Sequence, residues 1–240
     1  MTDKSVAIIT ARGGSKRIPR KNIKSFLGAP IISHSIASAL ASKVFEEVMV
    51  STDDEEIAEV AIRHGAKVPF FRSPSTSHDH AMTAEVVIEV IEEYAKRGHD
   101  FAYACCLYPT APFVTARMLA QGFEILKTTH VDSVVPVVRF GYPIQRAMRI
   151  TGGKLEMIWP ENLNVRSQDL PAAFHDSGQF YWLNVEAFMD QKRLFMRNTA
   201  ALEIPESETQ DIDNEEDWKI AEMKYSILRN RSGLGSADLR

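Results

Sequence analysis

The stretch IITARGGSKRIPRKN, residues 8–22, gives the strongest indication of the fold. It begins within an apolar run, residues 6–10, and then breaks at Gly13 and Gly14, which is typical of a buried strand that ends in a loop. Glycines let backbone amides approach an anion closely. The loop also carries five cations within ten residues, namely Arg12, Lys16, Arg17, Arg20 and Lys21. A solvated basic loop would leave the paired glycines unexplained, so the pattern predicts a triphosphate site.

The composition is that of an ordinary globular protein. The chain has 240 residues, 45% hydrophobic and 25% charged, which predicts one large domain with at most a small appendage. Its net charge of −4 favours a local anion site over nucleic-acid binding. No apolar stretch approaches the roughly 20 residues that cross a bilayer, and no signal-peptide pattern is seen. We therefore expect a cytoplasmic protein without membrane contact, in which the adjacent Cys105 and Cys106 are reduced core residues.

Strand and helix patterns alternate through the first part of the chain. Strands are predicted at 6–10, 48–52, 68–71, 101–107 and 133–138, and helices at 31–41, 84–96 and 116–127. Asp53 followed by Glu56 predicts the start of a further helix. Such alternation predicts an α/β fold with a three-layer, Rossmann-like, mostly parallel sheet. Ligands bind at the carboxyl ends of such strands, where Arg72 and Tyr108 also lie.

The pattern changes between residues 139 and 176. Alternating apolar residues flank Gly152 and Gly153, which predicts a β-hairpin. We interpret 139–176 as an inserted, β-rich dimerisation arm. The main nucleotide-binding domain then comprises 1–138 and 177–230, with strands at 180–183 and 201–204 and a helix at 215–228. Residues 231–240 are expected to form a flexible tail.

A second candidate site lies near the other end of the chain. The opening loop matches neither G-x-x-x-x-G-K-[ST] nor G-x-G-x-x-G. In an extended segment Asp211 and Asp213 share one face, and paired carboxylates suit Mg²⁺. The alternative is that Asp213 or Asn214 merely caps the helix that follows. His78 and His80 lack the further ligands that zinc needs, and they indicate a polar loop near the nucleotide.

Three segments resemble the CMP-sialic acid synthetases, which activate acidic nine-carbon sugars with CTP. These are ARGGSKRIPRKN at 11–22, LYPTAPF at 107–113 and DID at 211–213. The segment RSQDLPAAFHDSGQFYW at 166–182 is most similar to the branch that uses pseudaminic acid. The resemblance extends over residues 5–218. It implies that the sheet is of the nucleotidyltransferase type and that the protein is a dimer whose arm crosses to the neighbouring subunit.

The resemblance also implies roles for individual residues. Residues that bind CTP would be Arg12, Gly13, Gly14, Ser15, Lys16, Lys21, Asn22, Arg72 and Thr83. Catalysis would depend on Arg12, Lys16, Lys21 and Asp211, and Mg²⁺ would bind Asp211 and Asp213. Residues that bind the sugar would be Tyr108, Arg166, Gln168, His175, Gln179, Phe180 and Tyr181. Arg166 and Gln168 would complete the partner's sugar site or make ordinary dimer contacts, and His175 would contact the sugar, the partner or only its own chain.

Tyr108 departs from the family pattern, because the sialic acid enzymes usually carry glutamine in L-Q-P-T. This difference favours a related nonulosonic acid, pseudaminic acid first. The expected reaction is attack of the anomeric hydroxyl on the α-phosphate of CTP, which gives the CMP-sugar and pyrophosphate. N-acetylneuraminic acid, legionaminic acid and ketodeoxyoctonate are alternative substrates, and a non-catalytic nucleotide-binding module is a more distant alternative.

Overall fold

A central sheet of seven strands organises the chain, for which a computed structural model describes residues 4–231. The strand order is β11-β6-β10-β5-β1-β4, and β9 pairs with β6 on the side of β10. The bounds are β1 Ser5–Thr10, β4 Glu47–Ser51, β5 Tyr103–Leu107, β6 Ser133–Arg139, β9 Phe174–Asp176, β10 Phe180–Asn184 and β11 Thr199–Glu203. Among the described strands of this sheet, only β9 and β10 run antiparallel to their neighbours. The sheet is therefore mostly parallel, as predicted.

Helices cover both faces of this sheet and give three layers. Helices α1 (Ile31–Ser42), α2 (Glu55–Arg63) and α5 (Ala116–Thr129) pack on one face. Helices α4 (Thr83–Lys96) and α6 (Val185–Gln191) pack on the other. Cys105 and Cys106 lie in opposite core layers, both buried and reduced, and burial raises the pKa of Cys106 to about 12. The predicted fold class is confirmed.

A third apolar cluster joins the loop after β1, residues 11–22, to the last helix, α7 (Glu215–Arg231). Ile18 from the loop and Ile212 from the acidic segment are both buried in this cluster with Trp218. Phe26, on the short hairpin β2 (Ser25–Phe26) and β3 (Ala29–Pro30), packs edge-on against Trp218 at 5.6 Å between ring centroids. The two ends of the chain's predicted site therefore meet through a common core.

The hairpin predicted around Gly152 and Gly153 is confirmed. It consists of β7 (Met148–Thr151) and β8 (Lys154–Met157), and it pairs Thr151 with Lys154. Both glycines have positive φ, 57° and 78°, as a two-residue turn of this hand requires. The last three residues of the segment predicted as an arm form β9, which pairs with β6 in the main sheet. Residues 140–173 therefore leave the sheet at the end of β6 and return beside it.

Two local predictions were wrong. Residues 68–71 do not form a strand, and only Lys67 makes a bridge, to Met49. Pro69 has no N–H to donate, so the pairing stops there. The α2 cap is Asp54, which accepts from the Ile57 amide at 3.0 Å. Asp53 instead accepts from the Gly13 amide, in the loop after β1.

The remaining helix, α3 (Pro74–Ser77), is a single turn before α4. Within residues 4–231, none of the helices combines the length and apolar character needed to span a bilayer. The predicted flexible tail at 231–240 lies outside the described residues except for its first position.

Candidate active site

Every cation of the loop after β1 has an anionic or carbonyl partner within the protein. Arg20 makes a two-pronged contact with Asp54, at 2.5 and 2.9 Å, and a further one with Glu56. The remaining contacts join Arg12 and Lys16 to Asp79, Arg17 to Asp213 at 2.8 Å, and the Lys21 ammonium to the Ile212 carbonyl at 2.7 Å. The five cations are therefore balanced by groups within the protein, and their number alone is not evidence for a bound external anion.

Gly13 holds this loop against the end of β4. Its amide donates to Asp53 Oδ1 at 2.8 Å. A Cβ at this position would lie 2.6 Å from Asp54 Oδ2 and 3.0 Å from Asp54 Cβ, so a side chain has no room. The glycine therefore serves close approach between two loops at the carboxyl edge of the sheet.

A cavity of about 470 Å³ opens at this edge. It is lined by Thr10, Arg12, Ser15, Lys16, Arg17, Lys21, Asn22, Asp79, Tyr108, Pro109, Thr110 and Asp213. Asn22 is buried and donates from Nδ2 to the Arg12 carbonyl at 2.9 Å, which fixes the loop's curvature. The structure thus brings residues from both ends of the sequence to one cavity, as the sequence predicted, and Gly14 lies in the same loop.

The acidic segment borders the cavity. Lys21 donates to the Ile212 carbonyl between Asp211 and Asp213, and burial lowers the pKa of Lys21 although both carboxylates act to raise it. Partial desolvation, followed by the charge of Asp213, raises the pKa of Asp211. Asp217 accepts from the Asp213 and Asn214 amides at 2.9 and 3.0 Å and orders the segment. No group of three or more His, Cys, Asp or Glu suited to a metal occurs among residues 4–231.

Arg72 and Thr83, two of the residues assigned to CTP, take different positions. Arg72 is buried and donates to Ser51, from Nε to Oγ at 3.1 Å and from NH2 to the carbonyl at 2.7 Å. Burial lowers its pKa, against the attraction of Asp53. Thr83 Oγ1 lies 3.3 Å from the Tyr108 hydroxyl, at the first turn of α4. Of these two contacts, only that of Thr83 is made to a residue that lines the cavity, Tyr108.

The residues at the start of β10 separate onto the two faces of the sheet. Gln179 is buried and donates to the Glu208 carbonyl at 2.9 Å, while its Oε1 has no partner within the described residues. Tyr181 contacts Tyr108 edge-on at 5.7 Å and donates to Asp176. Phe180 faces the opposite layer and is fully buried beside Gly122. Because successive strand residues point to opposite faces, the side chain of Phe180, which was assigned to the sugar pocket together with Tyr181, lies in the other core layer.

The predicted sugar-binding residues of the arm do not line this cavity. Arg166 is exposed and pairs with Asp169 at 2.7 Å. Gln168 lines a separate cavity of about 410 Å³ within the arm, between residues 139–143 and residues 167–173. His175 is exposed, bonds to the Asp176 carbonyl at 2.9 Å and stacks obliquely on Phe140 at 4.9 Å.

Sequence reasoning did not assign five residues of the cavity to the site, and the first of them is Thr10, the last residue of β1. Arg17 belongs to the opening cluster, and Pro109 and Thr110 belong to LYPTAPF, so their motifs could have identified them. Asp79 was interpreted only as part of a polar loop, and no motif marks it.

Comparison with known proteins agrees with this geometry. The family model described as Cytidylyltransferase matches residues 6–196, which leaves Asp211 and Asp213 outside the matched range. The pseudaminic acid cytidylyltransferase of Campylobacter jejuni is 40% identical over 93% of this chain and 97% of its own length. The CMP-N,N'-diacetyllegionaminic acid synthase of Legionella pneumophila is 31% identical over 90% of this chain and 94% of its own length.

Among solved structures, CMP:2-keto-3-deoxy-manno-octonic acid synthetase complexed with CTP superimposes with a TM-score of 0.68 at 16% identity, and it covers 95% of this chain and 99% of its own. Fold, cavity and matches together define a nucleotidyltransferase. The chain belongs to the cytidylyltransferase family.

Proposed function

We propose that this cytidylyltransferase activates pseudaminic acid with CTP and releases pyrophosphate. The observation that carries the proposal is the convergence of Arg12, Lys16, Lys21 and Asp213 on one cavity at the carboxyl edge of the sheet. The 40% identity with a relative named for pseudaminic acid supports the choice of sugar. Tyr108, at the cavity in place of the glutamine of sialic acid enzymes, supports the same choice.

The chemistry is an in-line displacement at phosphorus. The anomeric oxygen of the sugar forms a bond to the α-phosphorus of CTP, and the bond from that phosphorus to the bridging oxygen of pyrophosphate breaks. Arg12, Lys16 and Lys21 stabilise the negative charge that develops on the departing pyrophosphate. Arg17 holds Asp213 in place through their ion pair.

Asp211 and Asp213 are suited to hold Mg²⁺. Burial and, after it, the charge of Asp213 raise the pKa of Asp211, and a bound divalent cation would offset both effects. Two carboxylates with open positions match the preference of Mg²⁺ for few protein ligands plus water and phosphate. When bound, the ion would lower the pKa of the attacking hydroxyl and offset phosphate charge.

Pyrophosphate release with purified protein tests the proposal. CTP with pseudaminic acid should give turnover that chelation of Mg²⁺ abolishes, whereas legionaminic acid, N-acetylneuraminic acid and ketodeoxyoctonate should give less. Lys21→Ala and Asp211→Ala should each reduce kcat by about 10²–10³-fold, the scale for loss of one preorganised charge-stabilising group. Turnover near the wild-type rate in either variant contradicts the assignment. CTP binding without turnover on any sugar acid identifies a non-catalytic module instead.

We infer further that two copies associate through the arm. In the β7–β8 hairpin, Ile150 pairs with Leu155 and Met148 pairs with Met157, so four apolar side chains share one face. Ile150 is 75% exposed and Leu155 is 65% exposed. An isolated two-stranded sheet is marginally stable in water, and this face needs a covering surface.

Exchange of the arm between two copies would also account for the position of the remaining sugar-binding candidates. Arg166, Gln168 and His175 lie on or beside the arm and outside the cavity of their own chain. This arrangement supports a role for them in the sugar site of the partner.

A further inference from the structure

One side chain joins the loop between α3 and α4 to the cations of the cavity. Asp79 Oδ1 accepts from Arg12 at 2.5 Å, and its Oδ2 accepts from Lys16. Asp79 itself lines the cavity. Both oxygens of this carboxylate therefore occupy the donors that a phosphate would use.

The ends of this loop are held independently of Asp79. Glu89 on α4 accepts from the Ser73 amide at 2.7 Å and from the Thr76 hydroxyl, which fastens α3. At the other end the Met82 amide donates to Glu85 at 2.8 Å, at the start of α4. The contacts to Asp79 can break without loss of either helix.

Between these anchors the other polar contacts are local. In the described chain, the Ala81 amide donates to the His78 carbonyl at 3.2 Å, and the His80 amide donates to His78 Nδ1 at 3.2 Å. Neither hydrogen bond involves the loop after β1, residues 11–22. The two ion pairs of Asp79 are thus the polar link between residues 78–81 and that loop.

The contacts of Asp79 with Arg12 and Lys16 are ionic, so another anion can replace the carboxylate. Hydrogen bonds from Lys16 and Arg12 lower the pKa of Asp79 to about 2, so the carboxylate is ionised at neutral pH. Among residues 4–231, Asp79 is the one carboxylate that pairs with Arg12 or with Lys16. A polyphosphate carries more charge and more acceptor oxygens than one carboxylate, and it competes for the same donors.

We propose that Asp79 is the internal counter-anion of the polyphosphate site: it neutralises Arg12 and Lys16 in the free protein and yields them to the β- and γ-phosphates of the nucleotide. The inference rests on the proposed use of CTP and assigns a positioning role to a residue that no motif marks. On the product side, the returning carboxylate competes with pyrophosphate and favours its release.

Binding of inorganic pyrophosphate, CTP and CMP by titration calorimetry, with no sugar present, tests the proposal. Asp79→Asn removes the competing charge and should tighten pyrophosphate and CTP binding roughly three- to tenfold, since two exposed ion pairs are lost. CMP lacks the outer phosphates, and its affinity should change by less than about twofold. Asp79→Ser, with no carboxylate, should behave in the same way.

Glu46→Gln is the matched control. It also removes one exposed charge, from the Lys4 pair at the opposite edge of the sheet, and it should leave all three affinities within about twofold of wild type. In the Asp79→Asn background, Lys16→Ala should cost more pyrophosphate affinity than in the wild type, because Lys16 is then free to bind phosphate.

Unchanged or weaker pyrophosphate binding by Asp79→Asn overturns the inference, as does an equal gain for CMP. Absence of CTP binding together with a pyrophosphate response to Asp79→Asn contradicts the proposed function but supports the inference. Normal CTP turnover with no change in pyrophosphate binding by Asp79→Asn supports the proposed function but contradicts the inference.

Discussion

The Gly13 amide donates to the Asp53 carboxylate at 2.8 Å and so joins the loop after β1 to the loop after β4. The same glycine packs against Asp54, which caps α2 and binds Arg20. The cavity wall is thus held by backbone packing and by charge at a single point.

Gly13→Ala tests this junction. The new Cβ displaces Asp54, and we expect a loss of about 1–3 kcal/mol in the free energy of unfolding, as for other overpacked sites, with a rise in KM for CTP. Urea unfolding and initial rates measure both effects. Gly14→Ala is the matched control, since its Cβ would meet only the Arg12 guanidinium at 3.7 Å. Equal losses in the two variants would contradict the packing argument.

Asp54 should give the stability a dependence on pH. The hydrogen bond from Arg20 lowers the pKa of Asp54 below its ordinary 3.8. Because the folded pKa is the lower one, this stabilisation is complete above the unfolded pKa and is lost as the pH falls through the folded pKa. Asp54→Asn should therefore lose about 1–2 kcal/mol at pH 7, and the difference from wild type should shrink below about pH 4.

Denaturant melts of the wild type and Asp54→Asn across this pH range measure the difference. Glu56→Gln changes a more exposed partner of Arg20 and should cost less than about 0.5 kcal/mol. A difference between wild type and Asp54→Asn that does not vary with pH would show that the carboxylate's charge is unimportant.

Tyr108 is expected to set the choice of sugar. Its ring contacts Tyr181 and its hydroxyl meets Thr83 at 3.3 Å. Tyr108→Gln, which restores the residue of the sialic acid enzymes, should lower kcat/KM for pseudaminic acid and raise the relative rate with N-acetylneuraminic acid. Tyr108→Phe keeps the ring and loses one neutral hydrogen bond, worth about 1 kcal/mol, so kcat/KM should fall about fivefold at most. Competition assays with the two acids give the ratio directly.

Phe180 and Tyr181 should respond differently to substitution, although they are adjacent. Phe180→Ala should destabilise the protein by about 3–5 kcal/mol through loss of core packing, and the milder Phe180→Leu should leave the KM for sugar unchanged. Tyr181→Phe removes the hydrogen bond to Asp176 and should raise the KM for sugar with little loss of stability. A raised sugar KM in a stable Phe180→Leu protein would return Phe180 to the pocket.

Charges on the apolar face of the hairpin should separate the copies. Ile150→Asp with Leu155→Asp is expected to give a monomer in sedimentation velocity, with CTP binding retained and sugar turnover reduced. Glu156→Gln alters the opposite face, where Glu156 pairs with Arg149 at 3.2 Å, and should leave the assembly intact. A dimer that survives the double substitution would place the contact elsewhere.

The sequence predicted the elements whose signals are local. The strand before Gly13, the hairpin around Gly152 and the helix after Asp213 each depend on neighbouring residues, and all three are present. The approach of the opening loop to Asp213 was inferred from strand ends and from the resemblance. Its physical cause, the burial of Ile18 with Ile212, has no periodic signature.

The errors arose where tertiary contacts decide between neighbouring residues. Asp53 and Asp54 are equally good caps in sequence, and only the packing of Gly13 determines which carboxylate turns toward the loop. Phe180 and Tyr181 were assigned together because the motif does not show which face of β10 is the pocket side. The link from Arg12 to Asp79 spans 67 positions and joins two loops, so no pattern could reveal it.

Residues 140–173 leave the sheet at the end of β6 and return at β9, which pairs with that same strand. This segment and the loop after β1 can therefore change independently in evolution. The strands that hold the loop after β1, namely β1, β4 and β5, share no ladder with β6 or β9. The inserted segment can therefore change in evolution without a change in the strands that hold the loop after β1. Chimaeras that carry residues 140–173 from a relative with another sugar preference would show how far these two halves behave as separate modules.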